Sequence, residues 1–176
     1  LLSPQSWFLS SRPKGLGRTY AEGAEDELGY QNGFDRAHLN WYTVDPIFYS
    51  SQRPGSVTDD DVSDLYARRV FIDELFPQVD IVTGQYTVIN TLDLVYNPTE
   101  RGPYNYKPDA ADGILETPQN SWAGITRQLT STDFEQSNVE YIEFWLMDPF
   151  LNNASNPGGK LVFNLGNISE DVIKDG

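Results

Sequence analysis

Cysteine is absent from the 176 residues, which excludes disulfides, zinc–cysteine centres and thiol catalysis together. The redox compartment is left open by that absence. Basic residues are scarce: 12 Lys and Arg face 26 Asp and Glu, for a net charge of −14 and a pI near 4.2. A surface able to neutralise phosphates is therefore missing, and nucleic acids are excluded as partners. Long apolar runs are missing too, and nothing approaches the roughly 20 residues of a membrane helix. The fragment is expected to be water-soluble and not membrane-inserted. The chain opens Leu1-Leu2-Ser3-Pro4, its one methionine is Met147, and no leader pattern is visible. An excised fragment or processed product is expected. No fixed-period repeat occurs, which argues against a propeller or solenoid.

Aromatic residues are plentiful at 13%, with 4 Trp, 10 Tyr and 9 Phe among 39% apolar residues. That is packing material for a folded domain rather than a disordered acidic segment. Residues 1–39 mix glycines with small basic and acidic patches, and follow neither the helical nor the strand period. An extended arm or linker is expected there, with Trp7 and Phe8 as anchors if it docks. Residues 40–49 are aromatic and interrupted by Pro46, which suits an edge or irregular segment. Residues 58–76 predict one helix, capped by Thr58 or Asp59, with Asp60, Asp61 and Asp64 at its positive end and Pro77 as its stop. Val62, Leu65, Tyr66, Val70, Ile72, Leu75 and Phe76 supply its apolar face.

Beyond Pro77, strands are predicted at 79–83, 86–96, 125–129, 139–146 and 161–165, separated by Gly, Pro and Asn. The expected fold is mainly β: an antiparallel, jelly-roll-like β-sandwich over residues 40–176 with one α-helix, preceded by the arm at 1–39.

No residue set points to catalysis. Glu140 and Glu143 have the residue type of a glycosidase pair, but strand alternation puts them on opposite faces. Glu143 is instead expected between aromatics, partnered by Arg127. His38, the only histidine, lacks a nucleophile elbow nearby. No phosphate-cradling glycine loop opens a helix. Asp59-Asp60-Asp61 reads as helix N-terminal charge and Asp109-Ala-Ala-Asp112-Gly113 as a turn, neither following the calcium-loop pattern. No cofactor is expected; a structural calcium ion at a sandwich loop is the minor alternative. Trp122, Tyr141 and Trp145 read as core, with a sugar-stacking platform as the competing role. Arg101-Gly102-Pro103 reads as a rigid turn presenting a guanidinium, and Asp148-Pro149 as the close of the aromatic strand.

More specific are Asn40-Trp-Tyr-Thr-Val-Asp-Pro-Ile-Phe-Tyr49, Asn97-Pro-Thr-Glu-Arg-Gly-Pro-Tyr-Asn-Tyr106, Trp122-Ala-Gly-Ile-Thr-Arg127 and Asn138-Val-Glu-Tyr-Ile-Glu-Phe-Trp-Leu-Met-Asp-Pro-Phe150, followed by Gly159-Lys-Leu-Val-Phe-Asn-Leu-Gly-Asn-Ile-Ser-Glu-Asp171. In this order, from Asn40 to Gly176, the chain resembles the SprA/Sov family of Bacteroidetes outer-membrane proteins, linked to gliding motility and type IX secretion. Ala123 stands where that family suggests a second glycine, and residues 1–39 match less clearly.

The resemblance implies that the parent polypeptide forms the β-barrel through which folded cargo crosses the outer membrane. This chain would be a soluble insert of it, lacking the alternating segments of about ten residues that barrel strands show. Its implied partners are the rest of the barrel, the accessory proteins (a lateral-opening partner, a plug and a periplasmic prolyl isomerase) and passing cargo. No motif identifies a contact with any of them. The extracellular face is favoured over the periplasmic by analogy with long barrel loops. Residues expected to be architectural or interacting are Arg101, Trp122, Arg127, Glu143, Trp145 and Asp148. A free-standing carbohydrate-binding or carbohydrate-processing sandwich is the alternative from another class.

Overall fold

A computed structural model describes residues 3–12, 30–84, 87–129, 140–166 and 172. Its longest pairing joins β2 (Ala37–Tyr42) antiparallel to β5 (Asp93–Arg101), with His38 opposite Asn97 and Tyr42 opposite Asp93. The register then jumps, so that Ala37 faces Arg101 and residues 98–100 stand out of the ladder. Pro98 explains the jump, because it has no N–H to donate. The displaced strand end finds a second partner: Arg101 N donates to Gly113 O (2.9 Å), and Leu115 N donates to Thr99 O (2.8 Å).

Two shorter antiparallel pairs complete the β structure, β1 (Phe8–Leu9) with β6 (Ile125–Thr126), and β3 (Val70–Phe71) with β4 (Val88–Ile89). The chain is thus mainly β, in small antiparallel sheets. Each described sheet has only two strands, short of the expected sandwich. The expected arm is not separate from the rest. Ser10, Ser11, Arg12, Asp35, Arg36 and Ala37 are buried, and β2 runs across the boundary placed at residue 39. The rest of the arm, 1–2 and 13–29, lies outside the described residues.

The single helix expected over 58–76 is two short ones, α1 (Asp59–Ser63) and α2 (Ile72–Leu75). Thr58 caps α1 as expected: Asp61 N donates to Thr58 Oγ1 (3.2 Å), and Thr58 N donates to Asp61 Oδ2 (2.7 Å). Asp64 then ends the helix, because its carboxylate accepts from Tyr66 N at 2.9 Å. Such local side-chain bonds compete with the helical ladder. Further on, Ile72 N donates across to Thr87 O, so sheet pairing captures the β-branched stretch that the helical pattern had claimed.

Two carboxylates hold these turns. Hydrogen bonds from the backbone and side chain of Thr58, then Arg53, hold Asp61 below its ordinary pKa. Arg68, then the Phe71 backbone N–H, do the same for Glu74. With depressed folded-state values, their contribution is present above the ordinary carboxylate range and lost as pH falls through the lowered ones. Acid titration followed by amide NMR is therefore expected to leave Thr58 and Phe71 unchanged above about pH 5 and shift both as the pH falls below about 4. Shifts centred at pH 5 or above would contradict this.

The other predicted strands fare differently. Residues 79–83 are not a strand, and Val79 and Val82 are exposed. The 86–96 segment is split between β4 and β5, and 125–129 shortens to β6. Tyr86 and Val139 lie outside the described residues. Residues 140–146 and 161–165 have strand composition but no strand. β-propensity needs a neighbouring edge to act on, and no described segment provides one.

Candidate interaction site

The centre of the fold is a guanidinium. Asn32-Gly33 turns the chain, Asp35 takes a left-handed φ of 61°, tolerated by Asp more than by most residues, and Arg36 enters with 0% exposure. Its Nη1 donates to Pro103 O (3.2 Å), and its Nη2 donates to Ser10 O and Val172 O (both 3.3 Å). The guanidinium carbon lies 4.8 Å from the centre of the Trp122 ring. Burial lowers the Arg36 pKa to about 10, with Tyr104 opposing the shift. It remains a cation at neutral pH, its desolvation offset by carbonyl dipoles and the aromatic face.

Several neighbouring polar groups are matched in the same way, although Arg36 Nε and Ser10 Oγ are buried without a hydrogen-bond partner among the described residues. Asp35 Oδ1 accepts from Lys107 Nζ at 3.1 Å. Asn105 Nδ2 and Gly102 N both donate to Arg36 O at 2.9 Å. Trp122 is held from three sides: its N donates to Asp35 O (3.0 Å), its O accepts from Ala37 N (2.8 Å), and its Nε1 donates to Phe34 O (3.0 Å). A small apolar cluster of Ala37, Ala110 and Leu115 lies in the same core. This centre fastens distant segments to one another.

The residues singled out from sequence separate into two groups. Trp122, 7% exposed, is core as expected. Arg101 is exposed at the end of β5 and contributes a backbone bond, so the turn follows it rather than containing it. Arg127 lies 5.7 Å from the Trp7 ring centre and donates through Nε to Gln128 O at 3.5 Å. The expected Glu143–Arg127 pairing is not formed: Glu143 is exposed, because residues 140–146 are not packed as a strand. Asp148 Oδ1 accepts from Phe150 N (2.8 Å), the turn expected at Asp148-Pro149 but without a strand before it. Trp145 is 66% exposed and Tyr141 79% exposed, so the core reading fails for both.

Sequence reading missed Arg36 altogether. It fell within the expected arm at 1–39, where an arginine beside an aspartate ordinarily reads as surface charge.

Residues 140–166 form the candidate interaction surface. Tyr141, Ile142, Phe144, Trp145 and Leu146 in one stretch and Leu161, Val162, Phe163 and Leu165 in the other are all more than half exposed. Phe144 meets Phe163 with ring centres 4.9 Å apart, and Trp145 meets Phe76 edge-on at 6.1 Å. Tyr66 Oη donates to Pro149 O at 3.1 Å, holding the turn between the stretches to the body. So much contiguous apolar surface marks a contact region.

Catalytic and metal constellations are sparse among the described residues. His38 Nδ1 lies 3.1 Å from Glu100 Oε2 in a partly exposed pair. No described group of three His, Asp or Glu residues is placed to share a metal ion. Asp109 to Gly113 form the expected turn, with Gly113 N donating to Ala110 O. No described helix is long and apolar enough to cross a membrane. No family model matches the sequence, and no curated protein matches it.

Proposed function

We propose that the chain is a structural and interaction module, without catalytic role, of a large outer-membrane translocon of the SprA/Sov type. The apolar surface at 140–151 and 161–165 carries this proposal. An isolated globular domain has little use for it, whereas an insert in a larger polypeptide would bury it against neighbouring segments. Motif resemblance from Asn40 onward supplies the identity of that polypeptide. In the same proposal, the two stretches become strands of a jelly-roll-like sandwich once an edge is supplied. The module stands outside the bilayer, on the extracellular side, with barrel, accessory proteins and cargo as partners. Its net charge of −14 provides a non-sticky rim.

An antibody against the chain is expected to detect, in fractionated source cells, an outer-membrane band many times larger than 19.9 kDa. Within that parent, the double substitution Trp145→Ser and Phe163→Ser is expected to reduce secretion at least tenfold without altering unfolding of the isolated chain. A small soluble or secreted band would overturn the proposal.

Exposure of Tyr141 and Trp145 favours the second reading, a carbohydrate-binding surface protein, since both rings are more than half exposed and aromatic faces stack on sugars. Trp122, buried against Arg36, does not belong to such a platform. Glycan binding abolished by Trp145→Ala, together with a small secreted band, would establish that reading.

A further inference from the structure

Three of the protein's 12 basic residues, Arg53, Arg68 and Arg69, converge on one open surface pocket of about 470 Å³ between α1 and β3, with Tyr49, Asp59, Val62, Ser63 and Phe71 also in its wall. The wall is not uniformly positive, since Asp59 belongs to it and Asp61 also acts on Arg53. Arg53 is matched by Asp59 in an ion pair. Arg68 is matched by Glu74, with Nη2–Oε2 at 2.9 Å and a second bond from Nη1 to Oε1 at 3.0 Å. Arg69 has no carboxylate within ion-pair distance among the described residues. It lies instead beside two aromatic rings, its guanidinium carbon 5.1 Å from the centre of Tyr49 and 5.4 Å from that of Phe71.

The surrounding backbone fixes this arrangement in advance. Arg68 N and Ala67 N both donate to Asp64 O, at 2.8 and 3.0 Å. Arg68 Nη1 donates to Arg69 O (3.0 Å), and the Tyr49 hydroxyl donates to Ala67 O. Burial first, then Asp93, raises the Tyr49 pKa, with Arg69 opposing, so the phenol stays protonated and serves as that donor. β3 continues directly from Arg69 into its pairing with β4. A guanidinium stacked on rings keeps its N–H edge for a planar, two-oxygen acceptor.

We infer that this pocket is a binding site for a polypeptide carboxylate carried beside an apolar side chain. Arg69 specifies the acceptor: it is the arginine of this wall with no carboxylate at ion-pair distance among the described residues, and its planar fork suits a carboxylate. A phosphate dianion would leave an excess negative charge within a strongly acidic protein. Val62 and Phe71 provide the apolar wall, and the volume lies within the range of small-ligand sites. The carboxylate is either the C-terminus of a polypeptide or an Asp or Glu side chain. This assignment goes beyond the translocon proposal and does not depend on it.

The test is NMR titration of the whole protein with N-acetylphenylalanine, its amide, acetyl-Phe-Glu-amide and inorganic phosphate. Carboxylate probes are expected to shift the guanidinium N–H signals of Arg69 and the ring signals of Tyr49, and to bind at least tenfold more tightly than N-acetylphenylalanine amide. Preference for N-acetylphenylalanine would assign a C-terminus, and preference for acetyl-Phe-Glu-amide an acidic side chain. Arg69→Gln is expected to weaken both at least tenfold with an unchanged urea midpoint. Arg69→Lys, which keeps the charge but loses the fork, should fall between. Equal binding of acid and amide, tighter binding of phosphate, or full affinity in a folded Arg69→Gln variant would overturn the assignment.

Discussion

Replacing Arg36 by alanine is expected to destabilise the protein by about 3 kcal/mol, since charge-assisted hydrogen bonds worth about 1.5–3 kcal/mol are lost with the packing of a buried side chain. Carbonyls of Ser10, Pro103 and Val172 would lose their donor, and at Ser10, the buried one of the three bonds, an unmatched acceptor costs about 1–3 kcal/mol. The Trp122 ring would lose its cation besides. Because domains of this size are stable by only about 5–15 kcal/mol, the variant should be largely unfolded in moderate urea while the parent protein is still folded. Arg36→Lys should recover only part of the loss, since one ammonium on a flexible stem does not reproduce a planar fork. Urea unfolding followed by tryptophan fluorescence measures both variants. A change below about 1 kcal/mol for Arg36→Ala would show that Arg36 does not hold the segments together.

Gly102→Ala and Gly33→Ala are the second pair of large effects. A Cβ on Gly102 would lie 2.3 Å from Ala37 O and 2.7 Å from Ala37 C, and one on Gly33 would lie 2.0 Å from Tyr104 O. In both cases the obstruction is backbone, which cannot rotate away as a side chain does. At Gly102 the strain falls on the bond from its N–H to Arg36 O, and so on the same centre. Each substitution is expected to cost about 3 kcal/mol, the upper part of the usual overpacking range. Gly55→Ala is the control: nothing lies within 4 Å of a Cβ there, and its change should stay within about 0.5 kcal/mol. Equal unfolding midpoints for Gly55→Ala and Gly102→Ala would refute the close approach of β2 to the turn after β5.

A mutation at Arg36 and one at Gly102 are not expected to add. Both act on Arg36 and its carbonyl, and neighbours sharing one network couple by about 0.5–3 kcal/mol. By contrast, Arg69 and Trp145 belong to surface features away from that centre, so their variants test binding without the same threat to folding.

Local chemistry was legible in the sequence wherever it was sufficient by itself. Thr58 and its aspartates capped a helix, Asp148-Pro149 and Asp109 to Gly113 made turns, and the β-branched and aromatic content gave a mainly β protein in small antiparallel sheets. Each depends on bonds spanning a few residues. Helix length was decided elsewhere, because the Asp64 side chain and Thr87 O compete for the backbone that the apolar period assigns to one helix.

Tertiary structure alone decided which charge is inside. Arg36 gains three carbonyls and a ring from residues remote in sequence, and no local pattern encodes that convergence. It alone also decided that residues 140–146 and 161–165, strand-like by composition, lie on the surface, since strand formation requires a partner edge as well as suitable residues. It separated Trp122 from Trp145, equivalent by residue type and opposite in burial. A residue's identity sets what it costs to bury; only the arrival of distant groups determines whether that cost is met.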